Sequence, residues 1–446
     1  MTRTQDLVGQ LQTILDQLKA EVSPPTPSTT VSTTADLVKA LAAGGPIALA
    51  PGSYTGNFTI TKPTTLDLFG ATLIPLDQLS PALIVRANDV IVSSGTIQNG
   101  APDRDTVIVG DFNATSADAQ PNRITFDGVK VQAGALGGHR AFALHGANIT
   151  VKNGRVTGFW EKGRDSQAIW VHNGPGPYTI TDNYLEASGE TILVGGDTFH
   201  IPNVVPSEIT IARNVCYKPD AWRAINPVVK NCIELKAGVR VLIEDNVCDG
   251  NWKSGQDGNP IVLTVRNQNN DSPWVRLDQV IVRGNVTRRC MEGYAVGILG
   301  FDNNYPSQQT QMILIEHNLF TDSPNGFKVG NGVAMDLTIR QNTLPAIVTN
   351  LLQFYDERAV PVKSPLTFAG NVAKGGAYGV AGTNLGVGLP ALNGFTTLVN
   401  FTGNILEKTA ERGIPWPLGN TLVEPGQLAT LLDTTTLKVK SGTAGY

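Results

Sequence analysis

Four charged side chains that could carry out acid–base chemistry lie within or beside short apolar segments of this chain. They are Glu190, Glu234, Lys236 and Arg266. Hydrolysis of a glycosidic bond uses two carboxyl groups about 5 Å or about 6.5–9.5 Å apart, which Glu190 and Glu234 could supply. Elimination at a uronate needs instead a cation that neutralises the substrate carboxylate and a base of suitable pKa. Both reactions stay open, as does the alternative that these charges form an ordinary exposed ladder.

Long loops beside these segments carry residues suited to binding a carbohydrate. The loops span 195–208, 216–231, 249–260 and 267–279. The candidate binding residues in and beside them are His172, Asp197, His200, Trp222, Arg223, Lys230, Trp252, Gln256 and Trp274. Tryptophan offers a large flat apolar face with a polar edge, on which a sugar ring can stack. The alternative is that the three tryptophans pack the loops onto the body of the protein.

A repeated six-residue pattern identifies the elements that must position these residues. The pattern, apolar-x-apolar-x-x-Asn, ends at Asn183, Asn214, Asn246, Asn285, Asn318, Asn342, Asn371 and Asn404, at intervals of 24 to 39 residues. Its alternating apolar residues have the period of a β-strand. A second apolar strand lies upstream of most copies, so each repeat is expected to form one strand-turn-strand coil.

A parallel β-helix explains why the same asparagine returns in every coil. Successive coils of such a solenoid are about 4.8 Å apart, so equivalent side chains stack into ladders. Cys216 and Cys248 each lie two residues after a repeat asparagine, which predicts stacked, buried and reduced thiols. Outward residues of the upstream strands predict one polar and aromatic stripe, the expected ligand groove: His145, Trp170, His172, Glu234, Lys236, Thr264, Arg266 and Lys328.

These features resemble a known group of solenoids. The segment ADLVKALAAGGPIALAPGSYTGNFTI at 35–60 resembles the capping helix and first strand of the pectate-lyase-like right-handed β-helix superfamily. The resemblance covers roughly 45–410 through the asparagine-bearing coils. It implies an all-β, right-handed, single-stranded parallel β-helix of about eleven coils with a short N-terminal α-helix. It does not specify a reaction, because the superfamily includes lyases, hydrolases, epimerases, phage tailspikes and non-catalytic adhesins.

The chain is expected to have four parts. Residues 1–22 have apolar residues every three or four positions and predict an amphipathic helix for attachment or oligomerisation. Residues 23–34 form a Pro/Ser/Thr linker, 35–413 the β-helix, and 414–446 a C-terminal cap. This layout is similar to that of phage tail spikes and fibres, in which homotrimers are usual and the N-terminus docks to the virion.

Composition and charge argue against several other functions. With 34 Lys and Arg against 38 Asp and Glu, the formal charge is −4, so the chain has no basic field for nucleic acid. No apolar run is long enough to insert into a membrane, and the N-terminus lacks the apolar core of a signal peptide. No Asp-rich calcium site, zinc-ligand spacing or nucleotide loop is recognisable, so no metal or cofactor is expected.

Three functions are consistent with these observations. The first is a phage tail spike or fibre protein of the virion, extracellular in action, that binds a host-surface polysaccharide with or without depolymerase activity. It would form a homotrimer and contact other tail proteins through the N-terminal helix. The alternatives are a stand-alone polysaccharide lyase or glycoside hydrolase, and a non-catalytic structural or adhesive β-helix. The linker and N-terminal helix favour the first.

Overall fold

The computed structural model describes residues 30–77, 81–408, 416–433, 435–437 and 440. The predicted helix at 1–22 therefore lies outside the described residues. The described chain winds as a right-handed parallel β-helix of about thirteen coils, in which three sheets of 13 or 14 strands run along the solenoid. The estimate of about eleven coils with two strands each was wrong on both counts. The missed third strand has only two to five residues per coil, too few to show an alternating pattern.

Each coil contributes in turn to sheet 1, sheet 2 and sheet 3. Sheet 1 consists of Thr30–Val31, Gly45–Leu49, Thr64–Asp67, Val90–Ser93, Asn122–Asp127, Ala147–Lys152, Tyr178–Thr181, Ser207–Ala212, Gly238–Glu244, Leu277–Arg283, Gln311–Glu316, Met335–Arg340, Ser364–Ala369 and Thr396–Thr402. Sheet 2 consists of Gly52–Thr55, Ala71–Ile74, Thr96–Gln98, Lys130–Gln132, Arg155–Phe159, Tyr184–Ala187, Val215–Tyr217, Val247–Asp249, Val286–Arg288, Leu319–Phe320, Thr343–Leu344, Val372–Lys374, Ile405–Glu407 and Thr421–Val423.

Sheet 3 carries the upstream strands identified in the sequence. It consists of Phe58–Ile60, Leu83–Val85, Asp105–Val109, Arg140–Leu144, Gln167–Val171, Ile192–Val194, Ile233–Leu235, Ile261–Thr264, Tyr294–Leu299, Asn325–Gly330, Asn350–Tyr355, Gly379–Gly382 and Gly386–Val387. Its last two strands pair antiparallel, whereas the other strand pairs of this sheet are parallel. The outer face of sheet 3 holds the candidate site.

Four α-helices and two 3-10 helices complete the described structure: Thr34–Ala43, Trp222–Ile225, Leu389–Phe395 and Leu428–Leu431, with Ala117–Ala119 and Gln268–Asn270. The first helix begins because the Thr33 hydroxyl accepts a hydrogen bond from the Asp36 N–H at 3.1 Å. Its apolar face, Leu37 and Leu41, is buried against the first coil. None of the helices in the described ranges is long and apolar enough to cross a membrane.

The asparagine ladder predicted from the repeat is confirmed at the corner between sheets 1 and 2. Asn214 Nδ2 and its backbone N–H both donate to Asn246 Oδ1, at 3.0 and 2.9 Å, and the same bonds recur along the coils. Asn214 Nδ2 also donates to the backbone carbonyl of Ile180 at 2.8 Å. The ladder continues beyond the sequence repeat to Asn420. Each asparagine thus satisfies buried backbone groups at a corner where the strand ladder is interrupted.

The inside of the solenoid is a continuous apolar core. Inward residues of sheet 1 stack in register through the coils, among them Ile149, Tyr178, Ile209, Val241, Val280, Ile313, Leu337 and Leu366. The prediction for the thiols is confirmed, because Cys216 and Cys248 are in-register neighbours and all four cysteines are buried and free. Inward positions are filled, so any function must use the outer faces and the loops.

Candidate functional site

One row of outward-facing residues on sheet 3 changes from apolar to partly charged halfway along the solenoid. The in-register residues of this row are Ile108, Ala143, Trp170, Leu193, Glu234, Val262, Gly297, Lys328 and Gln353. The row is apolar up to Leu193, and its first charged side chain is Glu234. We call the part up to Leu193 the sealed face and the part from Glu234 onward the open cleft.

The sealed face lies under two loops, 110–121 and 195–206. Its aromatic side chains stack on one another: the Trp170 and His172 rings are 4.9 Å apart, and Phe199 lies 4.6 Å from His172 on the other side. Asn173 ties the two loops together, since its Nδ2 donates to the Phe112 carbonyl at 2.8 Å and its Oδ1 accepts from the His200 N–H at 3.0 Å. This part of the sheet is therefore closed to ligands.

Three residues predicted to bind a ligand belong to the sealed face. His172 is fully buried, and burial holds its pKa well below the usual value, so it cannot line a groove. The His200 ring packs edge-on against Phe112 at 5.0 Å. Asp197 Oδ1 accepts the N–H of Thr198 at 2.8 Å within its own loop. The predicted stripe from His145 to Lys328 is therefore not one continuous groove, because these loops cover its first part.

The open cleft has a volume of about 290 Å³. Its lining residues are Glu234, Gln256, Asp257, Asn259, Val262, Thr264, Arg266, Gly297, Ile298, Leu299, Lys328 and Tyr355. Side-chain exposure rises along it, from 2% at Glu234 to 26% at Arg266 and 29% at Lys328. The cleft is therefore deep at the Glu234 end and opens toward the later coils.

Glu234 is the titratable group at the deep end of the cleft. Its Oε1 accepts a hydrogen bond from Thr264 Oγ1 at 3.2 Å and lies 3.8 Å from Lys236 Nζ. Burial raises the pKa of Glu234 to about 7, with a further increase from the neighbouring Glu190, against the opposing charges of Lys236 and Lys230. Its Oε2 is buried and has no hydrogen-bond partner among the described residues. The carboxyl group is thus poised to exchange a proton near neutral pH.

Glu190 lies behind Glu234 and does not reach the cleft. It is fully buried, accepts a hydrogen bond from Gln167 Nε2 at 2.7 Å and lies 3.2 Å from Lys230 Nζ. Burial alone would raise the pKa of Glu190, but Lys230, Lys236 and the Gln167 bond bring it below its usual value. Lys230 also forms an ion pair with Asp165. The structure therefore brings the two predicted glutamates together but exposes only Glu234 to a ligand.

Glu234 belongs to a cluster of buried and half-buried charges. Three carboxyl groups, those of Asp165, Glu190 and Glu234, face the ammonium groups of Lys230 and Lys236. With all five ionised the cluster would carry one unpaired negative charge in a poorly hydrated space, which is unfavourable. Burial raises the pKa of both Asp165 and Glu234, and of these two carboxyl groups only Glu234 lines the cleft.

A buried lysine missed by the sequence reasoning supports this cluster. Lys218 Nζ donates to the carbonyl oxygens of Ala187, Ser188 and Gly189 at 2.8, 3.0 and 2.8 Å. These carbonyls form the corner that leads directly into Glu190, and Lys218 itself is fully buried. No local sequence pattern identifies Lys218, because it differs from the other lysines only in the direction of its side chain.

Cations accompany Glu234 in the open cleft. Arg266 Nη1 pairs with Asp302 at 3.0 Å. Lys328 Nζ pairs with Asp257 at 2.8 Å and lies 5.2 Å from the centre of the Tyr355 ring. Predicted residues Arg266 and Gln256 thus line the cleft, together with Lys328 of the predicted stripe. Lys236 lies beside Glu234, where its ammonium favours the ionised carboxylate.

The three tryptophans do not offer free faces to a sugar. Trp222 and Trp252 are buried together with Val229, and the Arg223 guanidinium covers Trp252 at 4.4 Å from the ring centre. Trp274 packs against the core and donates its Nε1 to the Val204 carbonyl at 3.2 Å. The expectation that these side chains stack on a ligand is corrected: they fasten the long loops to the solenoid.

Within the described ranges, no cluster of three or more His, Cys, Asp and Glu side chains is arranged to hold a metal ion.

Comparison with known proteins identifies the fold. A family profile described as right handed beta helix region matches residues 140–344. No curated protein matches the chain. Similar solved structures include the catalytic unit of a thermostable GH87 alpha-1,3-glucanase from Streptomyces thermodiastaticus strain HF3-3, with 15% identity over 86% of this chain and 70% of the glucanase, and a TM-score of 0.57.

Two polysaccharide lyases are similar in the same way. The PL6 family alginate lyase AlyGC aligns with 89% of this chain at 15% identity and a TM-score of 0.58, and the chain spans about half, 53%, of that lyase. A mannuronic acid specific family 6 lyase from human gut microbiota aligns with 89% of this chain and 90% of its own at 11% identity, with a TM-score of 0.52. At these identities the likeness concerns the fold alone. These structures are not phage tailspikes.

Proposed function

We propose that this protein is a polysaccharide-degrading enzyme that binds a glycan in the open cleft and transfers a proton through Glu234. The proposal depends on one observation: the carboxyl group of Glu234 lies at the deep end of a polar cleft, where burial raises its pKa to about 7. Such a group is present in both protonation states at neutral pH, as a general acid or base must be. The similarity to glucanases and alginate lyases is in keeping with this proposal.

Hydrolysis is the first candidate reaction. Protonated Glu234 would give its proton to the glycosidic oxygen as the bond to the leaving sugar breaks. Asp257 is the second carboxylate of the same cleft, and its hydrogen bond to Lys328 lowers its pKa, so it is ionised and can direct the attacking water. Glu190, which was predicted to be catalytic, has no exposed surface. Its negative charge instead helps to raise the pKa of Glu234.

Elimination at a uronate is the second candidate, and the cations of the cleft favour it. Arg266 and Lys328 line the same space as Glu234 and could neutralise a substrate carboxylate. That neutralisation acidifies the neighbouring carbon, from which ionised Glu234 would take the proton. The electron pair left on that carbon forms a double bond to the next ring carbon as the glycosidic C–O bond of that carbon breaks, and the departing oxygen takes a proton from solvent. The two candidates therefore assign opposite starting protonation states to the same side chain.

The products distinguish these reactions. We would incubate the protein with alginate, polygalacturonate and α-1,3-glucan, and follow reducing ends together with the absorbance of unsaturated uronate. Reducing ends alone indicate hydrolysis, whereas both signals together indicate elimination. Glu234→Gln should lower turnover by roughly 100-fold or more without lowering the melting temperature.

The matched control for this variant is Glu316→Gln. Glu316 is also buried and ion-paired, with Arg340, but it belongs to sheet 1, away from the cleft. The control should keep wild-type turnover. Wild-type turnover by Glu234→Gln would remove Glu234 from the reaction. Binding without cleavage of any of the three glycans would favour an adhesin.

A place in a phage tail is a separate proposal, because it depends on residues 1–29, which lie outside the described structure. It rests on the amphipathic pattern of 1–22 and the linker composition. Light scattering of the full chain and of a chain lacking residues 1–29 tests the homotrimer. A full-length monomer would contradict it.

A further inference from the structure

We infer that the open cleft takes a polysaccharide end-on, so that the enzyme acts on chain ends and releases one small product at each cleavage. The inference rests on the proposed function, because it concerns the mode of action at Glu234. A groove on the outer face of a parallel sheet runs along the solenoid axis, and it admits the middle of a long chain unless one end is closed.

Trp170 and Leu193 close the cleft on the N-terminal side of Glu234. Leu193 is the in-register neighbour of Glu234 and Trp170 is the neighbour of Leu193, and both side chains are buried. Trp170 Nε1 donates to the Gly195 carbonyl at 2.8 Å, which fastens the covering loop to the sheet. The Arg140 guanidinium lies 4.0 Å from the centre of the Trp170 ring. These contacts leave no continuation of the groove beyond Glu234.

The covering loop also packs against Lys236, which lies beside Glu234. Gly196 is so close to the side chains of Leu193 and Lys236 that an added Cβ would lie 3.3 and 3.4 Å from them. At the corner that leads into Glu190, Lys230 forms ion pairs with both Asp165 and Glu190. Glu234 is thereby enclosed from two directions and open only toward the later coils.

On the side of the later coils, the cleft is open to solvent. From the Glu234 strand to the Tyr355 strand the lining crosses five strands of sheet 3, which at the spacing of parallel strands is roughly 19 Å. The charged side chains that line this stretch are more exposed than Glu234, at 26% for Arg266, 29% for Lys328 and 54% for Asp257. A glycan can therefore extend from Glu234 toward Tyr355, while only a short piece fits between Glu234 and the wall. Cleavage at Glu234 then releases that short piece.

The sizes of the earliest products test the inference. With whichever of alginate, polygalacturonate and α-1,3-glucan is cleaved, we expect one smallest product from the first time point, with solution viscosity falling slowly. A ladder of intermediate sizes and a rapid fall in viscosity would overturn the end-on mode while leaving the proposed enzymatic function intact.

Binding tests the same geometry without requiring cleavage. Glu234→Gln protein would be titrated with alginate oligosaccharides and α-1,3-linked gluco-oligosaccharides of increasing defined length. End-on binding predicts one protein per chain at every length, because each chain has one end of the required type. Several proteins bound along one long chain would overturn the inference. Failure to bind either series would overturn it together with the proposed function on these glycans.

Variants of the wall complete the test. Trp170→Ala should open the closed end and shift the earliest products toward longer pieces, and Leu193→Ala is the milder variant should Trp170→Ala not fold. Trp416→Ala is the control, because it removes an indole that packs on Phe401 in the last coils, away from the wall and the cleft, and should keep the wild-type product size. Unchanged products from folded Trp170→Ala and Leu193→Ala would show that the wall does not set the mode of action.

Discussion

The sealed face and the open cleft are two halves of one sheet surface that differ only in their side chains and loops. Both have the same strand spacing and an unbroken register, from Ile108 to Gln353. In the first half apolar and aromatic residues lie under loops tied together by Asn173. In the second half charged residues line a cleft that begins at Glu234. The solenoid supplies a repeating surface, and the site arises where the covering loops stop.

Lys218 supports the boundary between the halves, and its replacement should have the largest effect. Lys218→Met leaves the carbonyls of Ala187, Ser188 and Gly189 without their donor and removes the buried cation near Glu190. Breaking a buried charged arrangement in this way costs about 4 kcal/mol. We expect a lower midpoint in denaturant unfolding followed by circular dichroism.

The control for this prediction is Lys130→Met, since Lys130 is an exposed residue of sheet 2. It should change the free energy of unfolding by less than about 0.5 kcal/mol. If Lys218→Met is as stable as Lys130→Met, the ammonium group does not hold the corner, and Glu190 is positioned by Gln167 and Lys230 alone.

The sealed face should lose stability in acid. Burial lowers the pKa of His145 to about 4, although its bond to the His172 carbonyl acts in the opposite direction. Between pH 6.5 and 4 the unfolded chain binds a proton at His145 and the folded chain does not, so stability falls as pH falls. The full effect is about 3 kcal/mol. Melting temperatures measured across this range should fall less steeply for His145→Asn; identical slopes would contradict the prediction.

The open cleft should respond to pH in the opposite sense. The pKa of Glu234 is about 7 in the folded chain, above the ordinary value of 4.5. Between these values the folded chain holds the proton that the unfolded chain loses, so stability falls as pH rises from 4.5 to 7. We expect a contribution of about 3 kcal/mol that is absent in Glu234→Gln. A variant profile parallel to the wild-type profile would show that Glu234 titrates normally.

The sequence was sufficient to predict the solenoid because its signals are local and repeated. Each asparagine pattern is read within six residues, and the ladder of Asn183 to Asn404 confirms what the repeat implied. The short strands of sheet 2 were missed because two to five residues are too few to show a period. The coil count was too low because the coils before about residue 90 show no recognisable copy of the repeat.

The site was predicted only in part because its geometry depends on loops and on side-chain direction. Register alone placed Glu234 and Arg266 on the outer face of sheet 3, and both line the cleft. The covering of His172 by Phe199 depends on a loop whose path no local pattern encodes. Likewise, Trp222 and Trp252 meet each other only because two loops fold together.

The smallest effect on stability is expected at the open end of the cleft, where the charge of Lys328 is accessible to a ligand. Lys328 and Asp257 form an exposed pair, and such pairs contribute less than about 1 kcal/mol to stability. Lys328→Met should therefore melt like wild type, as should Arg123→Met, which removes an exposed pair with Asp89 on sheet 1. Only Lys328→Met should weaken binding of alginate oligosaccharides, by roughly tenfold, the equivalent of about 1.4 kcal/mol. Equal affinities for the two variants by calorimetry would mean that Lys328, like the residues of the sealed face, serves the fold and not the ligand.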